Sequence, residues 1–172
     1  MNTSAPQQRR IKLSKEKTYN IREARLEDLD QVISINMEAL PEHYPRVFWE
    51  EHVKRWGKAF LVAEVNGFIV GYIMCRVEWG WGFTKSKLLK KGHVISIAVR
   101  KEYRRKGIGR KLMEEAMKAL KEVYGAEEVY LEVRVSNKPA INLYEKLGFK
   151  IAKRVAAYYL DGEDAYIMVK QL

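Results

Sequence analysis

The sequence predicts an α/β fold in which a mixed, mainly antiparallel central sheet carries helices on both faces. Three observations predict it: β-rich runs flank the dipeptide Asn66-Gly67, a long amphipathic helix separates two further strands, and strands and helices intermingle along the chain. With 172 residues, the chain is long enough for one domain with a substantial core. We expect residues 19–172 to form that domain, behind a flexible basic tail at residues 1–18.

The first half of the domain is predicted to contain a strand, two helices and a hairpin. These elements are expected at residues 19–24, 29–40, 45–56, and 59–65 with 68–78. The first helix has apolar residues at helical spacing behind an acidic first turn, and Pro41 ends it. Pro45 opens the second helix, since proline is tolerated at a first helical position. The dipeptide Asn66-Gly67 favours a tight antiparallel hairpin.

The second half is predicted to begin with a glycine-containing basic loop and to end with two strands. The loop is expected at residues 79–91, strands at 93–99 and 129–135, helices at 108–124 and 139–147, and the closing strands at 152–160 and 165–169. A strand, a crossover helix and another strand predict parallel pairing of residues 93–99 with residues 129–135. The carboxyl ends of both strands then open on the same side, where ligands bind in α/β sheets.

The charge of the chain favours anionic partners. Its formal net charge is +10 and its sequence pI is about 9.6. Nucleic acid, a ribosome surface or a phosphorylated cofactor would all fit that charge. The basic tail could contact RNA or the ribosome, or it could be a solvated segment without a partner.

The single cysteine, Cys75, lies within the apolar run of residues 70–77. It cannot form a disulfide within the chain, and a multi-cysteine metal site is excluded. No stretch has the roughly 18 consecutive apolar residues of a membrane span. We therefore expect a cytoplasmic protein that does not contact membranes.

A glycine-rich basic loop precedes the predicted long helix. It consists of Arg104, Arg105, Lys106, Gly107, Ile108, Gly109 and Arg110. Exposed amides, cationic side chains and a helix N-terminus come together there, as in a pyrophosphate site. Surface turns rich in glycine and arginine are also common, so the loop alone does not decide the function.

The order of motifs resembles the GNAT superfamily of acetyl-CoA-dependent N-acetyltransferases. R-x-x-G-x-G follows the strand I-A-V, and V-S-N and Y-E-K-L-G-F come about thirty residues later. The segments L-P-E-H-Y, R-V-E-W-G, L-E-V-R-V-S-N and Y-Y-L-D-G-E-D-A-Y are similar to catalytic subunits of NatA-type protein N-alpha-terminal acetyltransferases, including single-chain archaeal ones. The resemblance covers residues 19–172.

This resemblance implies a GNAT fold with a splayed parallel strand pair and acetyl-CoA as co-substrate. The pantetheine arm would bind main-chain groups of Ile97, Ala98 and Val99, and the pyrophosphate would bind the basic loop. Asn137 and Tyr144 would contact the rest of the cofactor. Tyr144 would face the sulfur and hydrogen-bond or protonate the leaving thiolate; otherwise it is a core tyrosine.

The resemblance also implies a slot for the first residues of a peptide. Its walls would be Leu40, Pro41, Glu42, Tyr44, Tyr158 and Tyr159, and His93 would also contact the substrate. The alternative is an ordinary proline turn and an aromatic hairpin pair. Two departures affect selectivity: His43 stands where the family usually has Asn, and the basic loop at residues 81–91 is extended.

Acetylation of an α-amine requires a base, because that amine has a pKa of about 7.7 to 8.0 and is largely protonated near neutral pH. We assign His93 and Glu132 jointly as the base, directly or through a water, since neighbouring strands lie ~5 Å apart. Glu42 would bind or orient the amine and share in proton transfer, and the N–H near Val99 would polarise the carbonyl.

Each of these residues also has a structural interpretation. His93 could be an ordinary buried histidine, Glu132 could pair with Arg76 or Arg134, and Glu78 could pair with Arg76. Two ligands fall short of a zinc site, so we predict no required metal.

The predicted function is acetyl transfer to protein N-termini by direct attack in a ternary complex, because Cys75 lies outside the motif cluster. Acetylation of internal lysines or small amines is one alternative, and a non-catalytic basic module that binds nucleic acid or the ribosome is another. We expect a monomer whose partners are protein N-termini, with possible docking to the ribosome and no specific nucleic acid.

Overall fold

The computed structural model describes residues 18–172. Within them seven strands form one sheet in the order β1-β2-β3-β4-β5-β7-β6. The strands are β1 (Asn20–Glu23), β2 (Phe60–Val65), β3 (Phe68–Trp81), β4 (Leu88–Val99), β5 (Glu128–Arg134), β6 (Lys150–Val155) and β7 (Ala165–Gln171). The helices are α1 (Leu29–Ala39), α2 (Arg46–Arg55), α3 (Ile108–Glu122) and α4 (Lys138–Lys146). The predicted tail lies outside the described residues except for Thr18.

The helices pack on both faces of the sheet, which confirms the predicted fold class. The apolar stripe of α3 is buried against one face, together with Ile141 and Tyr144 of α4. On the other face, Leu29 and Ile35 of α1 pack with Trp49 of α2. For α1 and α3, the buried residues are mostly those at the helical spacing that the sequence predicted.

The parallel pairing of β4 with β5 is much shorter than predicted. Only Lys91, Gly92 and His93 pair with β5, opposite residues 128–130. Two residues after His93, β4 carries an extra residue, Ile95, between Val94, which pairs with Cys75 of β3, and Ser96, which pairs with Met74. Such a bulge bends a strand and increases its twist. Of residues 93–99 only His93 makes the predicted parallel pairing, and the two strands diverge beyond it, which confirms the predicted splayed pair.

The predicted loop at residues 79–91 is also wrong, because β3 and β4 continue as a hairpin through most of it. β3 runs to Trp81, β4 begins at Leu88, and only residues 82–87 form the connection. Trp79, Trp81 and Leu88 are exposed, so this part of the hairpin lacks the apolar burial that marks a strand in a sequence.

The last predicted hairpin has a longer connection than its sequence suggested. β6 ends at Val155 rather than at residue 160, and residues 156–164 form turns before β7. Ala157 has a left-handed φ of 48°, and its amide donates to the Asp164 carboxylate at 2.9 Å. That conformation ends the strand. The hairpin at Asn66-Gly67 is confirmed.

Among residues 18–172, no helix has both the length and the apolar character needed to cross a membrane.

Candidate active site

The divergence of β4 from β5 opens a cleft at the carboxyl end of β4. Ile97, Ala98 and Val99 pair with β3 on one side, and within residues 18–172 they pair with no strand on the other. The Val99 carbonyl accepts a hydrogen bond from Arg104 Nε at 2.8 Å. Apart from this carbonyl, the main-chain groups on the open side of β4 have no partner among the described strands and are available to an extended ligand.

The basic loop leads from this cleft into α3. Arg105 and Gly107 have left-handed φ angles of 59° and 81°, which turn the chain sharply before Ile108 begins the helix. In the described part of the chain, no hydrogen-bond acceptor contacts the backbone N–H groups of Arg105, Lys106, Gly107, Ile108, Gly109 and Arg110. A helix N-terminus with unused donors fits a diphosphate.

Three of the predicted cationic side chains already have protein partners. Arg104 bonds Val99 as described, Lys106 Nζ donates to the Glu102 carbonyl at 3.1 Å, and Arg110 Nε contacts Glu114 at 2.9 Å. Their charge remains at the mouth of the cleft. The free donors there are chiefly backbone amides.

His93 and Glu132 meet where the two strands begin to separate. His93 Nε2 lies 2.8 Å from Glu132 Oε2, and the side chains are only 11% and 18% exposed. Neither of the alternative ion pairs of Glu132 is present, since Arg76 contacts Glu78 and Arg134 contacts Glu42.

The environment raises the pKa of His93. Burial by itself lowers this pKa, but hydrogen bonds and charges from Glu132 and Glu78 outweigh the burial. The imidazole is therefore suited to take up a proton near neutral pH.

Two residues that sequence reasoning did not assign to the site complete the surroundings of His93. Glu78 Oε2 lies 3.0 Å from His93 Nδ1, and the Tyr130 ring stacks on the imidazole at 4.1 Å between centroids. A signal for Glu78 was present, because a charged pair two residues apart on a strand, Arg76 and Glu78, shares one face.

The predicted peptide slot lies between two loops that Arg134 joins. Arg134 Nη2 contacts Glu42 of the α1–α2 loop at 2.8 Å, and its Nη1 contacts Asp161 of the β6–β7 loop at 2.7 Å. Its guanidinium also lies 4.0 Å from the Tyr159 ring centroid. Sequence reasoning had considered Arg134 only as a partner of Glu132.

Tyr44 and Tyr158 lie near the carboxylates of Glu42 and Glu132. Burial raises the pKa of Tyr158, and the charges of Glu132 and Glu42 raise it further. For Tyr44 the pKa is raised by burial and then by Glu42. These tyrosines therefore remain neutral hydrogen-bond donors beside the carboxylates. Leu40 is half-buried and Pro41 is exposed at the slot entrance.

His43 is turned toward the first helix. Its Nδ1 lies 3.0 Å from Asn36 Oδ1, and Asn36 Nδ2 donates to the Glu42 carbonyl at 3.0 Å. Asn36 is buried, so it fixes the shape of the loop that carries Glu42.

The two other predicted cofactor residues have structural contacts. Tyr144 lies in the core beside Phe149, with 5.9 Å between ring centroids, and burial raises its pKa to about 12. Asn137 caps α4 by accepting the Ala140 amide at 3.3 Å. Their contacts with a cofactor stay predictions.

Cys75 is fully buried in β3, and burial raises the pKa of its thiol. A buried thiol of raised pKa is a poor nucleophile. Among the described residues, no group of three or more His, Cys, Asp or Glu side chains could hold a metal ion.

The profile of the acetyltransferase (GNAT) family matches residues 21–149, three quarters of the sequence. The chain belongs to the GNAT acetyltransferase family. This acetyltransferase is 62% identical over 160 residues to the N-alpha-acetyltransferase of Sulfurisphaera tokodaii, covering 92% of this chain and 96% of that relative.

Solved structures of two related proteins have the same fold. Ard1 from Thermoplasma volcanium matches with a TM-score of 0.77 and 30% identity, over 90% of this acetyltransferase and 97% of that chain. Arabidopsis thaliana Naa50, in complex with the bisubstrate analogue CoA-Ac-MVNAL, matches with a TM-score of 0.76 and 25% identity, over 90% and 99%.

Proposed function

We propose that this protein transfers the acetyl group of acetyl-CoA to the free α-amine of protein N-termini, by direct attack within a ternary complex. The observation that carries the proposal is the contact of His93 with Glu132 at the point where β4 leaves β5. The activity named for the 62% identical relative supports it. The catalytic domain spans residues 19–172, since all seven described strands join one sheet.

Acetyl-CoA would lie along the open edge of β4 with its diphosphate at the N-terminus of α3. Free amides from Arg105 to Arg110 and the nearby positive charges support the diphosphate site. The main chain of Ile97, Ala98 and Val99 offers hydrogen bonds to the amide groups of the pantetheine arm. This binding mode aims the thioester at His93 and Glu132.

The first chemical task is to remove a proton from the substrate ammonium. Neutral His93 and Glu132 together accept that proton, directly or through a water, and hold it between Nε2 and Oε2. The 2.8 Å separation of these atoms supports the state after the transfer, in which the accepted proton lies between them. Glu42, fixed by Arg134, orients the positive amine by its charge.

The neutral amine then attacks the thioester carbonyl. A nitrogen–carbon bond forms, the carbon–sulfur bond breaks, and the second amine proton passes to the departing thiolate to give CoA. The backbone N–H near Val99 stabilises the developing oxyanion. Tyr144 remains protonated near neutral pH because burial raises its pKa to about 12, so it can supply the thiolate's hydrogen bond.

The slot favours the amino terminus of a chain over a small amine. Tyr44, Tyr158 and Tyr159 provide apolar walls with polar tips, and Arg134 holds the two loops together. Internal lysines and small amines are the alternative substrates within the same chemistry.

We propose that the enzyme acts as a monomer in the cytoplasm, where Cys75 stays reduced. Docking to the ribosome would serve substrates as they emerge during synthesis, and the net charge of +10 suits that surface. Light scattering and ribosome sedimentation test these two points.

The alternative of a non-catalytic nucleic-acid module makes a different prediction. Binding to RNA that rests on phosphate contacts weakens steeply with salt. We expect acetyl-CoA to bind at moderate salt, while RNA binding fades across a salt series. Strong, salt-resistant RNA binding without coenzyme binding would favour the alternative.

The function is tested by mass spectrometry of peptides incubated with enzyme and acetyl-CoA. The panel pairs each free peptide with the same peptide blocked at its α-amine, and each contains an internal lysine. We expect one added acetyl group only on the free peptides. Equal acetylation of both forms would assign the activity to lysine.

A further inference from the structure

Carboxylates lie at both nitrogens of His93, and only one of them belongs to the proposed base. Glu132 is 2.8 Å from Nε2, whereas Glu78 is 3.0 Å from Nδ1. No step of the proposed reaction uses Glu78. Its contact with the imidazole therefore needs a separate explanation.

The contact between Glu78 and His93 is built into the sheet. In the antiparallel register of β3 and β4, Arg76 is opposite His93 and Glu78 is opposite Lys91. Glu78 and His93 are thus diagonal neighbours on one face, within reach of long side chains. Strand register, rather than a movable loop, sets their separation.

Glu78 is fixed by two further hydrogen bonds. Arg76 Nε donates to its Oε2 at 2.6 Å, and the Tyr130 hydroxyl donates to its Oε1. Burial raises the pKa of Glu78, but hydrogen bonds from His93, Tyr130 and Arg76 outweigh it and lower this pKa to about 2. The carboxylate is therefore ionised near neutral pH and can only accept hydrogen bonds.

Glu132 is held much less firmly. Among the described residues, its only side-chain hydrogen bond is the one to His93. It can turn toward a substrate amine or a water, whereas Glu78 cannot leave Nδ1 without breaking its contacts with Arg76 and Tyr130. Tyr130 also fixes the plane of the imidazole, since its ring lies within 16° of parallel.

We infer that Glu78 is a positioning residue for acetyl transfer: it accepts the Nδ1–H bond of His93 and so reserves Nε2 for the proton exchanged with Glu132 and the amine. A neutral imidazole carries a single N–H, and the acceptor that cannot move decides which nitrogen keeps it. The expected effect of Glu78 on kcat rests on the proposed function, whereas the position of the proton on His93 does not.

Other ionisable groups around His93 would stay in place in a test of Glu78. They come from β3, β4, β5 and the two slot loops, and they are Arg76, Lys91, Tyr130, Glu132, Tyr44 and Tyr158. Replacing Glu78 by glutamine keeps its size and removes one negative charge at Nδ1. The loss of that charge lowers the His93 pKa.

The test compares Glu78→Gln with the matched variant Glu64→Gln. Glu64 is 27% exposed and accepts from Arg22 Nε at 2.8 Å, much as Glu78 is 28% exposed and accepts from Arg76 Nε. We expect Glu78→Gln to lower kcat about tenfold or more, with KM for both substrates within about twofold. Its kcat should also begin to rise at lower pH than in wild type. Glu64→Gln should match wild type.

Nitrogen-15 NMR of the histidine side chains in the wild-type protein supplies a readout independent of activity. We expect neutral His93 to carry its proton on Nδ1. A proton on Nε2 would overturn the inference even if Glu78→Gln fails to fold. A Glu78→Gln enzyme with the kcat and pH profile of wild type would also overturn the inference. An enzyme in which only KM changes would do the same. Wild-type protein that acetylates no peptide refutes the proposed function instead, and leaves the NMR result valid.

Discussion

At the scale of single residues, the chemistry depends on where one proton resides around His93. Its pKa is raised above the ordinary 6.5, because the neighbouring carboxylates outweigh burial. A protonated pair cannot accept the amine proton, so kcat should fall as the pH drops through that raised pKa. A pH profile of kcat at saturating substrates measures this. A kcat that stays flat from pH 5.5 to 8.5, a range of about three units around the histidine pKa, would contradict it.

Removing the base should suppress turnover and spare coenzyme binding. We expect His93→Gln and Glu132→Gln each to lower kcat by about 10²- to 10⁴-fold. The double variant should be little worse than either, since residues that act as one unit are not additive. Steady-state kinetics gives kcat, and calorimetry gives the acetyl-CoA Kd as the control. A double variant that retains wild-type kcat would refute the assignment.

Cys75 offers a test of direct attack. It is fully buried in the core, so Cys75→Ala should cost about 1 kcal/mol of stability while kcat stays within about twofold of wild type. Thermal unfolding and steady-state assays measure the two effects. A folded variant without turnover would instead indicate an acyl-cysteine intermediate.

At the scale of elements, the proposed peptide slot depends on Arg134, which joins the α1–α2 and β6–β7 loops. Arg134→Met keeps much of the apolar stem and removes the charge that bonds Glu42 and Asp161. We expect the peptide KM to rise about tenfold, equivalent to ~1.4 kcal/mol, with KM for acetyl-CoA unchanged.

The matched control is Arg55→Met on α2, because Arg55 also pairs with a glutamate, Glu51, but lies at an exposed helix end. It should leave both KM values unchanged. An Arg134→Met enzyme with a normal peptide KM would show that the loops do not depend on this bridge.

The elements also show how far sequence reasoning reaches. The period of the long helix and the Asn66-Gly67 turn predicted α3 and the β2–β3 hairpin correctly, because burial and turn chemistry are local signals. The family resemblance implied that β4 and β5 splay apart. The residue at which they separate depends on the bulge at Ile95 and hence on how β3 and β4 pair, so it could not be predicted. Trp79 at the end of β3 and Leu88 at the start of β4 are exposed rather than buried, which hid the extension of the hairpin.

In the candidate site, too, some contacts could be predicted from the sequence and others could not. His93 and Glu132 could be placed near each other from strand order alone, and the structure brings them into contact. Glu78 reaches Nδ1 through a diagonal register, and Arg134 contacts Glu42 after α1 and both Tyr159 and Asp161 in the β6–β7 loop. Such contacts depend on the tertiary arrangement. From the sequence, Glu78 and Arg134 could be considered only as members of local ion pairs.

At the scale of the whole molecule, the chain carries a formal net charge of +10, and the proposed chemistry needs only protein groups and acetyl-CoA. We expect turnover to be unchanged after treatment with a chelator such as EDTA, because the proposed base and oxyanion donor are side chains and backbone. Activity is measured before and after treatment and after addition of Mg²⁺ or Zn²⁺. A loss that one of these ions restores would contradict the account.

The central claim is that the α3 N-terminus and the open edge of β4 hold acetyl-CoA so that its thioester faces His93 and Glu132. Isothermal titration calorimetry of the folded wild-type protein with acetyl-CoA tests this most directly. The account predicts saturable binding of one coenzyme per chain. Folded protein that releases or absorbs no heat of binding across temperatures, and retains no coenzyme by equilibrium dialysis, would contradict it.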